Sequence, residues 1–529
     1  MKNKLFLIGF MFMSIVATAQ MSKPSMYRNP EVENSVRYKF ANEFQKDFLL
    51  FMDMLQTTHP AFCKAETVPF NVEQEIDRGF NALADNNDVK KFRLILMSVA
   101  AKLNDGHTLI NAFDFENMKF YPLNLKRCDN KYYVRVTDRE YSQILGMPIK
   151  YINNIPIDTL VNMFGNFISH ENTNELNQRV TEYILLPYFW ENLSMNRADS
   201  ALFIEFYNDK NVLIFPKFRK DMALESIPEK SSTEITKPNS QLFSYNIDAD
   251  KKICYLQFNS CLDYNTFVFQ IEMTAENDDM KKAMYAQLES QKDNYPKFDE
   301  FLKQMFSDIK TKKASVLVVD VRNNGGGNSA LCNQLLSYLK PYKKIKEISS
   351  YIRISELLKL QYPEIYQKAI TANANLETGK LYDCKELEIA ENDENLFKKF
   401  FPVNNEKSKI FKGKIFFMQG AETYSSAGEL IITARDNKIG TIIGENSIFR
   451  PCNYGDILAW QLPNTNQTGW VSHKYFARPN QKLCSQETII PDVLINTTFE
   501  DIINGNDKVW DWIINNGKRN ASFPFSSAS

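Results

Sequence analysis

Val316-Leu317-Val318-Val319-Asp320-Val321 is an apolar run broken by a single aspartate, and Arg322-Asn323-Asn324-Gly325-Gly326-Gly327 follows it directly. A strand that is apolar at successive positions needs cover on both faces, the environment of a strand buried in a helix-flanked sheet. Helix-like segments alternate with further apolar strands from residue 253 to about 495. That alternation predicts an α/β domain with an open or partly wound sheet. The three glycines open a helix expected from Ser329. Glycines let a backbone approach a ligand closely, and consecutive N–H groups at a helix start can bind an anion. In acyl transfer that anion is the tetrahedral oxyanion. Two other readings compete: a tight strand–helix turn, and a dinucleotide fingerprint formed by Gly325, Gly327 and Ala330 with Glu347 downstream.

A second segment, Thr423-Tyr424-Ser425-Ser426-Ala427-Gly428-Glu429, is entered from Ile415-Phe416-Phe417-Met418 and left through Leu430-Ile431-Ile432. Strand, small-residue turn and helix can present a serine hydroxyl at a sharp bend while the new helix aims free N–H groups at a reacting carbonyl. Serine-rich turns also serve as helix N-caps, so this segment alone does not select between the two roles.

Asp105-Gly106-His107-Thr108 is the third. The chain holds four histidines, at 59, 107, 170 and 473. His107 sits in a glycine turn after a helix, where an imidazole can project and shuttle a proton. His59 precedes a proline and reads as a turn residue; His170 and His473 read as surface or loop residues. No His-Glu-x-x-His or Cys-x-x-Cys occurs, so neither a metal site nor a cofactor is expected.

Sixty-three basic and sixty-four acidic side chains leave a formal charge of −1, with no basic surplus for nucleic acid. At 529 residues the chain is long enough for two or three domains. Lys2 and Lys4, an apolar stretch from Leu5 to Val16 and Ala17-Thr18-Ala19 read as a secretory signal. That run is too short to span a bilayer. The expectation is an exported, soluble protein, periplasmic or secreted, whose eight cysteines are mostly buried free thiols.

Taken in order, Asp-Gly-His-Thr, Val-Val-Asp-Val-Arg-Asn-Asn-Gly-Gly-Gly, Thr-Tyr-Ser-Ser-Ala, Ile-Ile-Gly-Glu and Pro-Asp-Val make a set that resembles the C-terminal-processing and tricorn-type serine peptidase family over roughly residues 40–497. The resemblance implies an α/β fold: a crotonase/ClpP-like β-α core with an N-terminal helical region and a degenerate PDZ-like β-rich module, whose central strand and turn match residues 144–157. It implies Ser425 as nucleophile, His107 as base and Glu487 as acid, with Asp492 and Asp456 as alternatives. The backbone N–H groups of Gly326, or a neighbour in the triplet, and Ser426 would form the oxyanion hole. A glutamate three residues after the serine would select Ser426 before Glu429, whereas the downstream Gly444-Glu445 pair favours Ser425. A lysine base 25 residues after Ser425, as one branch of the family uses, is unsupported, because that position is Arg450, which does not deprotonate.

The expected organisation is a signal peptide at 1–19, a helical region at 20–118, the PDZ-like module at 119–230 and a linker at 231–247. A catalytic domain at 248–500 with an insertion at 340–408, and a C-terminal helix and tail at 501–529, complete it. The implied activity is hydrolysis of a polypeptide substrate by an exported serine endopeptidase through an acyl-enzyme. The alternative is a non-catalytic protein that binds a peptide or hydrophobic ligand on the same fold. The sequence carries no reading of oligomeric state.

Overall fold

A computed structural model describes residues 23–517, apart from 64–67, 69, 86–87, 228–229, 232, 276 and 388–393. The expected signal segment, 1–19, and the end of the tail lie outside the described residues. No helix among those described is long and apolar enough to cross a membrane. The chain divides into two compact units, each built from discontinuous stretches.

One unit comprises residues 228–349, 390–452 and 477–529. Its six-stranded sheet runs in the spatial order Phe243–Asp248, Ile253–Phe258, Val316–Asp320, Lys414–Gln419, Thr441–Gly444 and Val493–Leu494. Only the first pair is antiparallel; the others are parallel, in register through pairs such as Leu317↔Ile415 and Phe417↔Ile442. The apolar run that predicted burial on both faces is buried at all five positions of its strand. Val509, Trp510 and Ile513 of the helix Lys508–Asn516 pack with Tyr255, Val318 and Met418 on one face. The strand Phe243–Asp248 occupies part of the stretch expected as a linker, because its residues alternate well enough to pair with Ile253–Phe258 along six positions.

The other unit comprises residues up to 227, 350–389 and 453–476. The helical stretch contains Glu43–Thr58, Val72–Ala82 and Val89–Ala101. Asn42 and Gln45 form a capping box at the start of the first, and its break falls at His59, as the His59-Pro60 pair predicts. A seven-stranded sheet is built around Lys131–Asp138, Pro148–Ile152 and Leu202–Phe206. A second sheet joins Ser25–Met26, Asn453–Gln461, Thr468–Ala477, Ser349–Arg353 and Leu381–Asp383. The stretch 340–408, which lacks a strand rhythm in sequence, thus supplies two short strands that pair with each other, and Ser349–Arg353 joins them to the distant strand Thr468–Ala477.

Candidate active site

The elbow after Lys414–Gln419 is held by its own backbone and by Thr423. Thr423 Oγ1 donates to Val321 O at 2.8 Å and accepts the Gly420 N–H at 3.0 Å. The Tyr424 N–H donates to Asn324 O at 3.0 Å, so the serine turn and the glycine loop are laced together. Ser425 then takes φ +50° and ψ −128° immediately before the helix Ser426–Asp436. Non-glycine residues seldom occupy that conformation, and they hold it only where the surroundings impose it. Ser425 makes no side-chain capping bond to the helix, so capping does not explain a serine there.

Ser426 has a different environment. Its side chain is buried; Oγ donates to Gly327 O at 2.8 Å and lies 2.9 Å from Ser329 Oγ. Ser329 Oγ in turn donates to Glu429 Oε2 at 2.6 Å. The glutamate that would select Ser426 is therefore a partner of Ser329.

Gly326 and Gly327 have φ of +103° and +133°. A Cβ on Gly326 would lie 2.7 Å from Ser425 Cβ and 3.0 Å from the Ser426 nitrogen, so the loop touches the elbow only because this residue has no side chain. The Gly326 N–H, named above as an oxyanion donor, is given to Asn324 Oδ1 at 2.8 Å. Its neighbour Gly327 is exposed, and its N–H takes no hydrogen bond among the described residues. At the base of the loop, the Arg322 guanidinium joins Asp320 at 2.7 Å and Asp507 at 2.9 Å. The dinucleotide reading also requires an acid at a strand end, whereas Glu347 precedes Ser349–Arg353 and pairs with Tyr342.

His107 belongs to the other unit. Asp105, fully buried, accepts five donors: His107 N at 2.8 Å, Thr108 N at 3.1 Å, Thr108 Oγ1 at 2.6 Å, His59 Nε2 at 3.0 Å and Ser472 Oγ at 2.7 Å. Burial alone would raise this carboxyl; the bonds from His107 and His59 and their charges instead hold it well below the usual range. His59 Nδ1 accepts the Ala61 N–H at 3.1 Å, so its proton resides on Nε2, toward Asp105. His59 is thus a buried structural partner of Asp105 as well as the turn residue its Pro60 neighbour suggested.

The His107 Nδ1 lies 3.6 Å from Asp105 Oδ1 and 3.6 Å from Glu171 Oε1. Burial disfavours the imidazolium, yet Asp105, Glu171 and Glu175 outweigh it and raise the pKa. Arg179 pairs with Glu175 at 2.7 Å and donates to Gly106 O at 2.7 Å, fixing the turn. By distance, Asp105, His107 and Glu171 could surround a cation. Asp105 already spends its oxygens on five protein donors, which an ion would have to displace, so the cluster is better fitted to hold a proton on His107.

Glu487 is exposed, in the loop before Val493–Leu494, in the unit that does not contain His107. Asp492 is exposed and accepts the Ile442 N–H at 2.9 Å. Asp456 shares the unit of His107; although burial opposes its charge, Lys474 at 2.6 Å and His473 pull its pKa to about 2. His473, expected at the surface, is buried on the strand Thr468–Ala477 with Nδ1 against Asp456 O. Glu171 escaped sequence reasoning because it sits in a polar helix-start segment, Glu171-Asn172-Thr173-Asn174-Glu175, whose local pattern signals only capping.

Residues 282–494 match the model of Peptidase family S41. Mature CPAF complexed with lactacystin has a similar fold, with TM-score 0.60 and 14% identity, covering 91% of this chain and 98% of that one. Mature CPAF alone gives TM-score 0.60 at 15% identity, over 92% and 99%. No curated protein matches the sequence. The glycine loop, the serine elbow and the Ile442-Ile443-Gly444 strand all lie within the matched residues, and over 282–494 the chain is similar to the peptidases of family S41.

Proposed function

We propose that this protein is an exported endopeptidase that hydrolyses polypeptides through an acyl-enzyme on Ser425. The observation that carries the reading is Ser425 itself: a left-handed serine between a buried parallel strand and a helix, not used as a cap, against a glycine that admits no side chain. The family resemblance assigns His107 the role of the base that takes the nucleophile's proton and delivers it to the leaving amine. The N–H groups of Ser426 and Gly327 receive the oxyanion, and water then releases the acyl group. The raised pKa of His107 suits a group that must keep the proton until the amine departs.

Glu171 is our candidate for the acid, because its carboxylate faces Nδ1 while Asp105 is committed to the turn. Glu487 retains its claim through family resemblance. The sheet around Lys131–Asp138 is read as a degenerate PDZ-like module on the 144–157 motif, and residues 1–19 as the export signal. A fluorophosphonate probe tests the reading: it should label wild type and Ser426→Ala but not Ser425→Ala. Labelling that survives in Ser425→Ala and disappears in Ser426→Ala would transfer the role to the second serine.

A further inference from the structure

Cys452 and Cys484 form a disulfide, while Cys254, Cys261 and Cys332 are free thiols. Two of the free thiols meet: Cys261 Sγ lies 3.6 Å from Cys332 Sγ, and both are buried. Each also holds part of the elbow assembly. The Cys261 N–H donates to Gly326 O at 3.0 Å, and its carbonyl accepts the Asn328 N–H at 2.7 Å. The Asn324 Nδ2 lies 3.5 Å from Cys261 Sγ. On the helix Ser329–Leu339, Cys332 Sγ donates to Ser426 O at 3.3 Å. Gly327 packs directly on Cys261: a Cβ there would lie 2.5 Å from Cys261 O and 3.2 Å from Cys261 Cβ.

We propose that Cys261 and Cys332 are a reversible oxidation site, and that closing them into a disulfide displaces the glycine loop and turns the Ser425 centre off. The effect on turnover rests on Ser425 being the nucleophile. A small-molecule disulfide, RSSR, is the oxidant. One protein thiol loses its proton and attacks a sulfur of RSSR, expelling RS⁻. The second then attacks the protein sulfur of the mixed disulfide and expels another RS⁻. The two protons convert both leaving groups to RSH, and the protein has given up two electrons. A disulfide bond is roughly 2.0 Å long, so the sulfurs must approach by about 1.5 Å. Because Cys261 is bonded through its backbone to both Gly326 and Asn328, that movement reaches the residues packed on Ser425. The contact with Cys261 and burial push the Cys332 thiol well above its ordinary range, which makes exchange slow at neutral pH and faster in alkali.

The test incubates the full chain with oxidised glutathione, blocks remaining thiols and seeks a Cys261–Cys332 cross-linked peptide by mass spectrometry. The expected result is that cross-link, with a fluorophosphonate labelling rate at least about tenfold lower and restored by dithiothreitol. Cys332→Ala and Cys261→Ala should keep their rate through the same treatment, which also accounts for any reduction of Cys452–Cys484. Hydrogen exchange across 325–328 and 425–429 should change on oxidation whether or not Ser425 reacts with the probe. A protein that never labels, yet cross-links and alters its exchange, removes the peptidase reading but supports the redox site. Absence of the cross-link, or a cross-link that leaves exchange and labelling unchanged, overturns the proposal.

Discussion

Asn324 Oδ1 accepts the Gly326 N–H at 2.8 Å while its Nδ2 donates to Phe258 O at 2.9 Å. One fully buried side chain thereby ties the glycine loop to the end of a neighbouring strand. Asn324→Ala strands both partners, at about 1–3 kcal/mol for each group left unsatisfied. The expected outcome is a lower Tm together with a roughly 10²-fold loss in kcat and little change in KM, since the loop serves the transition state. Steady-state kinetics on a peptide substrate beside a thermal melt provide the check; a fall in Tm with kcat intact would leave Asn324 a purely structural role.

The two adjacent serines should separate cleanly. Ser426→Ala deletes a hydrogen bond to Gly327 O and a contact with Ser329, worth about 0.5–1.5 kcal/mol each, and should lower Tm with slower but measurable probe labelling. Ser425→Ala removes no side-chain capping bond and should leave Tm nearly unchanged while abolishing labelling. Calorimetry with gel-based labelling compares them directly.

Activity should rise with pH through the elevated pKa of His107, because only the neutral imidazole can accept a proton. The acidic limb of kcat/KM therefore lies above the ordinary value of about 6.5. Glu171→Gln removes one carboxylate facing Nδ1, so the limb should move to lower pH and kcat should fall. For stability the sign runs the opposite way: the imidazolium contributes fully below about pH 6.5, and that contribution disappears as pH climbs through the folded value. A Glu171→Gln profile coincident with wild type, and a displaced one for Glu487→Gln, would restore Glu487 as the acid.

His473 should govern an acid-side loss of stability. Burial, with Lys474 adding to it, lowers its pKa to about 4 against the opposing pull of Asp456. Unfolded chains bind this proton more readily, so stability should decline as pH drops from about 6.5 toward about 4, by on the order of 3 kcal/mol in all. Urea titrations at pH 7, 5.5 and 4.5 measure the slope, which His473→Gln should flatten.

Sequence alone disclosed the parts of this fold that are local. The run Val316–Asp320 announced its double burial, the glycines announced a close approach, and the small-residue turn announced an elbow before Ser426–Asp436. The partners of Asp105 were not legible, since His59, Thr108 and Ser472 reach one carboxylate from three different parts of the chain. Ser425 and Ser426 are equivalent in composition, and only backbone dihedrals and the Gly327 carbonyl distinguish them. Likewise Gly326 looks as good a donor as Gly327 until the Asn324 side chain claims its N–H.

Ser25 and Met26 align with Trp460 and Gln461, far apart in the sequence. A chain emerging from the ribosome cannot complete that sheet until the hairpin ending at Ala477 has been made, by which time most of the other unit's strands have already appeared. Assembly of that sheet is consequently deferred until residue 477 has been made, with slow, long-range strand pairing. Unpaired edges wait exposed meanwhile, so a nascent or truncated product ending before residue 453 should depend on chaperones and aggregate without them.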